Sequence, residues 1–305
     1  MNKEFLDLAE QLKSSVSCTV RLNELMSGHT SFKIGGPADI LVLPESIEQL
    51  REVLKVVKET VVPLTLLGNG SNVLVRDKGI RGIVIKLGNM LRHFYEAEDL
   101  LVFGSGYSLA LASYKAMECG KTGMEFAVGI PGSIGGAVYM NAGAYDGEMQ
   151  NIVNCVKVMD LQGNERVLTA EGLHFGYRKT SLQNSGLIVT EVTLKMPSGN
   201  KDEIKSKMDD FSHRRISKQP LEMPSAGSMF KRPPGYFAGT LIDQAGLKGY
   251  TVGGAQISTK HAGFVVNVGG ATAADVLQLI KDVQTKIKAG VGVELQPEVL
   301  VIGEE

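Results

Sequence analysis

The sequence predicts an α+β fold in three lobes, two before residue 200 and a smaller α/β one after it. Three observations carry that reading. The chain has 305 residues, more than one hydrophobic core usually supports. Its first part alternates strand, helix and strand patterns, and its middle turns strand-rich. Pro197-Ser198-Gly199-Asn200 then breaks the pattern between a long strand and a charged helix, and reads as the best linker in the chain. The lobes are accordingly expected at residues 1–85, 86–200 and 201–305.

Taken in order, residues 5–12 form a short amphipathic segment that reads as a peripheral helix. Residues 29–38, H-T-S-F-K-I-G-G-P-A, read as a loop with a Gly-Gly-Pro turn, and 38–43 as a buried strand. Ser46 with Gln49 three residues on is a capping-box pattern. Ile47, Leu50, Val53, Leu54 and Val57 follow at helical spacing. Residues 63–67 are a second strand that runs into Gly68-Asn69-Gly70-Ser71-Asn72, so the unit is βαβ with a ligand loop at its carboxyl end. Val73-Leu74-Val75 reads as a further strand, 83–103 as β-rich and 108–119 as a helix. Segments 154–160 and 165–169 flank Gln162-Gly163-Asn164 as a hairpin, and 187–196 is a long strand. Beyond the linker, 202–217 is a charged helix whose His213-Arg214-Arg215 suits a solvated C-terminal end. Residues 271–289 give the clearest helix, boxed by Thr272 and Asp275 and ended by Gly290. Its buried stripe is Val276, Leu279, Ile280, Val283 and Ile287. A closing strand is expected over 294–302, interrupted by Pro297.

Composition excludes several function classes. Hydrophobic residues make up 43% and charged residues 21%, as in globular proteins. Acidic residues number 33 against 32 basic, so no global field points to nucleic acid. The longest apolar runs, such as 263–268, are too short to span a bilayer. The opening M-N-K-E-F-L-D-L-A-E has no signal-peptide core. Cys18, Cys119 and Cys155 are widely spaced and are expected as free thiols in a reducing cytoplasm, with no metal. A cytoplasmic enzyme is the expectation.

The glycine-dense stretch 123–148 contains no lysine or arginine. Without Cβ branches in the way, several backbone N–H groups can converge on one anionic oxygen. Tight turns packed in the core are the structural alternative; the density of glycine between apolar flanks favours a cofactor cradle. The loop 68–72 lacks the dinucleotide fingerprint, because Val73 takes the third glycine's place, and Gly104-Ser105-Gly106 fails through Leu109. Gly120-Lys121-Thr122 is no P-loop, since Lys115 stands where the first glycine belongs. Two such loops after apolar strands point to one shared diphosphate ligand.

Three polar positions stand out for chemistry. Arg178, in G-Y-R-K-T-S, offers a planar fork suited to a carboxylate, with an ordinary surface arginine as the alternative. Ser228 is exposed by the small residues of P-S-A-G-S-M-F-K-R-P and followed by Lys231 and Arg232, where a simple turn is the alternative. Glu298 follows Pro297 in an apolar strand, where a carboxylate is costly unless paired or working.

The blocks T-S-F-K-I-G-G-P-A-D, L-G-N-G-S-N, G-I-P-G-S-I-G-G-A-V-Y-M-N-A-G-A-Y, F-G-Y-R-K-T-S, S-A-G-S-M-F-K-R-P and E-L-Q-P-E-V-L-V-I-G occur in this order. Over residues 30–304 the chain resembles the UDP-N-acetylenolpyruvoylglucosamine reductase family of peptidoglycan synthesis, in its shorter type II form. The resemblance implies a two-lobed FAD-binding fold of the vanillyl-alcohol oxidase type, a third lobe for the UDP-sugar substrate, and NADPH as hydride source. It implies cofactor contacts at Gly68, Asn69, Gly70, Ser71, Asn72, Gly129, Pro131, Gly132, Ser133, Gly135, Gly136, Ala137, Asn141 and Gly143. Substrate contacts are implied at Tyr177, Lys231, Arg232 and Lys248, with Arg178 and Glu298 holding an enolate and Ser228 giving a proton. Leu300 replaces an arginine that many relatives carry, which bears on one carboxylate contact. FAD is expected to be non-covalent, because 123–147 offers no His or Cys tether. A monomer without nucleic-acid or membrane partners is expected. A flavin-dependent alcohol oxidase of the same fold, or a flavin-binding module without catalysis, are the rival readings.

Overall fold

Apolar residues alternate along Val153–Met159 and Ile188–Lys195, and these strands centre a five-stranded antiparallel sheet. The order is Glu165–Thr169, Val153–Met159, Ile188–Lys195, Leu100–Gly104, Phe94–Ala97. Register sets Val156 against Val192 and Val192 against Phe103, a fully buried row across three strands. Residues of the helices Leu109–Glu118 and Ile134–Tyr139 complete this core. The opposite face is polar, with Glu191 bonded to Lys157 at 3.4 Å and His93 at 3.2 Å. Asp160 closes the predicted hairpin by accepting from the backbone N–H groups of Gln162 and Asn164, each at 2.9 Å.

The computed structural model describes residues 3–87 and 90–305. The chain divides into two units: residues up to Arg21, Ile40–Asn69 and Ile83–Arg215 in one, and Leu22–Asp39, Gly70–Gly82 and Ile216–Glu305 in the other. The lobes expected at 1–85, 86–200 and 201–305 do not coincide with these units, because residues 22–39 and 70–82 pack with the C-terminal part of the chain. Val73–Val75 pairs in parallel with Leu300–Ile302, and Asp77 accepts from Ala273 and Ala274 at the start of the last helix.

The predicted first helix is Lys3–Ser15. In the βαβ region the sheet order is Thr19–Leu25, Pro37–Leu43, Ile80–Lys86, Leu64–Leu67, so a later strand lies between the two that the sequence joined. Ser46 caps the helix Ile47–Lys58 by accepting from Gln49 N–H. The Gln49 side chain reaches Glu45 N–H at 2.8 Å and not Ser46, so the box is displaced by one residue. Leu50, Val53, Leu54 and Val56 are its buried residues, with Val57 only half-buried.

In the second unit the antiparallel sheet runs Ser225–Ser228, Phe264–Asn267, Ala255–Ile257, Thr251–Val252. The helix Ala273–Val291 buries the five expected stripe residues beside it. Thr272 and Asp275 exchange both bonds of a capping box. The helix ends two residues later than predicted, on left-handed Gly292 in place of Gly290. Only Leu300–Ile302 of the expected closing strand is a strand; Pro297 instead forms an isolated bridge with Phe230. Among the described residues no helix is long and apolar enough to cross a membrane.

Candidate active site

In the first unit three segments meet beside Ser133. Leu109 N–H donates to Gly132 O at 3.1 Å, Ile134 N–H to Tyr107 O at 2.9 Å and Gly135 N–H to Ser105 O at 2.9 Å. The turn at 104–108 is thus sewn to the start of the helix Ile134–Tyr139, which Ser133 caps through Gly136 N–H. Gly135 is required by this seam, since a Cβ there would lie 2.7 Å from Ser105 Cβ. Gly68 and Gly136 differ: a Cβ on either would meet nothing nearer than Ser133 Oγ at 3.4 Å. Main chain without a Cβ, with only a hydroxyl beside it, is what a diphosphate needs to lie close to the backbone. The residues present therefore fit the phosphates of a dinucleotide cofactor.

The remaining cradle residues take different places. Gly129 is left-handed and faces Arg215, whose Cδ would be 2.9 Å from an added Cβ. Ala137 is buried and Gly143 lies against Gly147 O in a two-stranded hairpin. Asn141 is fully buried: it donates to Glu148 Oε2 and Gly176 O and accepts from Gln150 N–H. Its side chain is thus engaged by the protein itself. The loop 68–72 divides, with Gly68 and Asn69 in the first unit and Gly70, Ser71 and Asn72 in the second. There Gly70 O accepts from Ser31 N–H, and Asn72 donates to Glu298 O at 3.4 Å.

Arg178 belongs to the first unit. It is half-buried, sits at φ +55°, and donates to Asn141 O at 3.2 Å and Gly143 O at 2.8 Å. Its guanidinium lies 5.0 Å from the centre of the exposed Tyr177 ring.

Ser228 and Glu298 come together in the second unit. Ser228 ends an edge strand with its side chain exposed, while Met229 next to it is wholly buried. Glu298 N–H donates to Met229 O at 2.8 Å, and Lys231 N–H donates to Gln296 O at 2.8 Å. These bonds flank the bridge between Phe230 and Pro297 and set the two candidate residues on neighbouring strands of chain. Glu298 is half-buried beside buried Val299. Lys231 is half-buried, the Arg232 guanidinium stacks 3.9 Å from the Phe237 ring centre, and exposed Lys248 pairs with Asp243 at 2.7 Å.

Two residues escaped the sequence reading. Arg215, expected on a solvated helix end, is buried in the first unit, and its pKa is pushed down by that burial. The signal was there: Ile204, Met208, Phe211 and Arg215 fall on one stripe of the helix Lys201–Lys218. His261, between Ser258 and the strand Phe264–Asn267, accepts from Gly263 N–H on Nδ1 at 3.0 Å. Burial pushes its pKa down and favours the neutral ring. No spacing in the sequence marked it.

Comparison with known proteins gives two family matches. Residues 38–169 match the model described as FAD binding domain, and residues 219–302 the model described as UDP-N-acetylenolpyruvoylglucosamine reductase, C-terminal domain. The chain is 49% identical to UDP-N-acetylenolpyruvoylglucosamine reductase of Clostridioides difficile over 94% of each chain. It is 50% identical to that of Clostridium perfringens strain SM101 over 99% of this chain and 98% of the relative. The crystal structure of the reductase from Thermus caldophilus superposes with a TM-score of 0.78 at 38% identity, covering 93% of this chain and 98% of the other.

Proposed function

Because the chain belongs to the UDP-N-acetylenolpyruvoylglucosamine reductase family, we propose that its Arg178, Ser228 and Glu298 carry the reduction of the enolpyruvyl group. The chain is an NADPH-dependent flavoenzyme that turns UDP-N-acetylglucosamine enolpyruvate into UDP-N-acetylmuramate, a step of peptidoglycan synthesis. FAD, when bound, supplies the hydride taken from NADPH. Gly68 and Gly136 would hold its phosphates, since a Cβ on either would meet nothing nearer than the Ser133 hydroxyl.

The substrate's alkene gains its hydride at the terminal carbon, and negative charge builds toward the carboxylate. Donors already in place for that charge are worth on the order of 10²–10³ in rate each. Arg178 supplies a fixed fork of N–H groups to the carboxylate, and Glu298 in its protonated form, or bridged, adds a further hydrogen bond. Ser228 gives its hydroxyl proton to the adjacent carbon; a neutral hydroxyl suffices because the carbanion is strongly basic. Tyr177, Lys231, Arg232 and Lys248 would bind the remainder of the UDP-sugar. The observation that supports the reading most is the bond from Glu298 N–H to Met229 O, which sets acid and proton donor on adjoining segments.

On the same reading residues 201–305 bind substrate, and the enzyme works as a monomer in the cytoplasm, a reducing compartment that suits three free cysteines. The test is NADPH consumption with and without the enolpyruvyl UDP-sugar. Consumption that depends on the sugar, with muramate product formed, is expected; consumption indifferent to the sugar refutes the proposal.

A further inference from the structure

We propose that Gln183 is a positioning residue for Arg178, holding the turn from which the guanidinium acts; this rests on the reading of Arg178 as a substrate-carboxylate ligand. Residues 176–179 form a tight turn closed in both directions, Gly176 N–H to Lys179 O at 2.9 Å and Lys179 N–H to Gly176 O at 3.1 Å. Arg178 is its third residue, at φ +55°. Turns that need a positive φ at this position ordinarily carry glycine or asparagine there, and a residue with a Cβ persists in it only where the surroundings hold it.

Two side-chain amides do the holding. Asn141 Nδ2 donates to Gly176 O at 3.0 Å, on the entering side of the turn. Gln183 Nε2 donates to Arg178 O at 3.2 Å, on the leaving side. The same nitrogen donates to Tyr139 O at 3.2 Å. An amide nitrogen has two hydrogens, which here serve the two carbonyls with Met140 Sδ as a further, weaker acceptor at 3.6 Å, and the Arg178 peptide is tied to the end of the helix Ile134–Tyr139. The guanidinium reaches Asn141 O and Gly143 O just beyond that helix. Backbone and side chain of Arg178 are thus anchored to one short segment; Gln183 links it through the Arg178 carbonyl itself, and the Thr180 hydroxyl, donating to Tyr139 O at 2.9 Å, holds the chain two residues on. Without its hydrogens, the Arg178 and Tyr139 carbonyl oxygens lose a shared donor, and the leaving end of the turn keeps its Lys179 backbone bonds and the Thr180 hydroxyl bond to Tyr139 O but loses the brace on the Arg178 peptide itself. A displacement of about 1 Å in such a group is enough to cost roughly 10²-fold in rate.

The test uses the flavin-loaded enzyme with Gln183→Met, which keeps length but no donor, and Gln183→Glu, which keeps shape and puts an acceptor where the amide was. Flavin reduction by NADPH is expected to stay near wild type. Single-turnover reoxidation by the enolpyruvyl UDP-sugar should slow by roughly 10- to 100-fold. Calorimetry on the oxidised protein should show substrate affinity falling by about tenfold, as for a weakened bond to a charged group. In an Arg178→Ala background the Gln183 substitutions should have no further effect on reoxidation, since they act through Arg178. Equal slowing of both half-reactions, or full additivity with Arg178→Ala, overturns the proposal and leaves Gln183 a support of the fold. If Arg178→Ala alone leaves reoxidation and affinity intact, the reading of Arg178 falls instead. Should Gln183→Glu not fold, Gln183→Met decides by the same criteria, and a loss of folding in both overturns the positioning role.

Discussion

Gly135 and Gly136 are the same residue in consecutive positions of one helix, yet the structure assigns them opposite consequences on substitution. A Cβ on Gly135 would stand 2.7 Å from Ser105 Cβ and 3.0 Å from Ser105 O. Carbon atoms prefer about 3.5–4.0 Å, so the overlap approaches an ångström against a seam fixed by the Gly135 N–H bond to Ser105 O. Overpacking of this kind costs roughly 1–3 kcal/mol. Replacing helical glycine by alanine returns about 0.5–1 kcal/mol, so Gly135→Ala should be destabilised by about 1–2 kcal/mol net, or several degrees in Tm. Gly136 is exposed, and its Cβ would meet only Ser133 Oγ at 3.4 Å, an ordinary contact. Gly136→Ala should therefore melt at or slightly above the wild-type temperature. On the proposed placement it should nevertheless lose flavin, because the new methyl would occupy the space where a phosphate would lie on the main chain; a lost bond to a charged group corresponds to roughly tenfold or more in Kd. Differential scanning of the apoprotein and a flavin-binding titration measure both variants. A Gly136→Ala protein that binds FAD at wild-type strength would refute the placement of the phosphates beside Ser133. A Gly135→Ala protein of unchanged stability would refute the packing argument.

Ser228→Ala should leave flavin reduction by NADPH unchanged while reoxidation by the UDP-sugar falls by roughly 10²–10⁴, and Ser228→Cys, which can still give a proton, should restore much of it; equal slowing of both halves makes the serine structural. Glu298→Gln should keep Tm and flavin reduction and lose substrate turnover, whereas a large fall in Tm with normal reoxidation would show a buried structural carboxylate. Asp275 accepts from Thr272 and Gly254 N–H, and the Thr272 backbone bond chiefly holds its pKa below the usual value. Its contribution is therefore complete above the ordinary Asp value of about 4 and disappears as pH falls through the depressed folded value. The Tm gap between wild type and Asp275→Asn should thus shrink on acidification, and a gap constant from pH 7 to strongly acid pH contradicts the linkage.

What was legible in the sequence were interactions between near neighbours. Thr272 and Asp275 sit three apart and bond as their spacing predicts, Asp160 folds its own hairpin, and the stripe from Val276 to Ile287 is buried as periodicity requires. What escaped depends on partners far along the chain. Residues 294–299 were expected as part of the closing strand, but only Leu300–Ile302 finds an edge, at Val73–Val75. The strand Ile80–Lys86 enters the sheet between two that the sequence joined through one helix. Arg215 was misplaced because a charge was taken as a sign of solvent, although its helical spacing put it on the apolar stripe. Glycine density marked 123–148 as a candidate cradle, but not which glycines meet only a hydroxyl and which face Ser105 or Gly147.

The candidate catalytic residues differ in how they are held, and that difference decides how their variants can be interpreted. Ser228 and Glu298 are brought together by main-chain bonds, Glu298 N–H to Met229 O and Lys231 N–H to Gln296 O. Backbone groups are present whatever the side chain, so Ser228→Ala or Glu298→Gln leaves the neighbouring segment where it is. A loss of rate in those variants then reports on the chemistry of the missing group. Arg178 sits on a turn closed by the Gly176–Lys179 main-chain bonds but braced by side chains, Gln183 on its own carbonyl and Asn141 on the carbonyl two residues earlier. Its geometry is accordingly open to changes at positions that touch no substrate. The proposed proton donor and carboxylic acid of the second unit are thus held by main-chain bonds, whereas the proposed carboxylate ligand of the first unit sits on a turn braced by two amides that periodicity and spacing had no means of pairing with it.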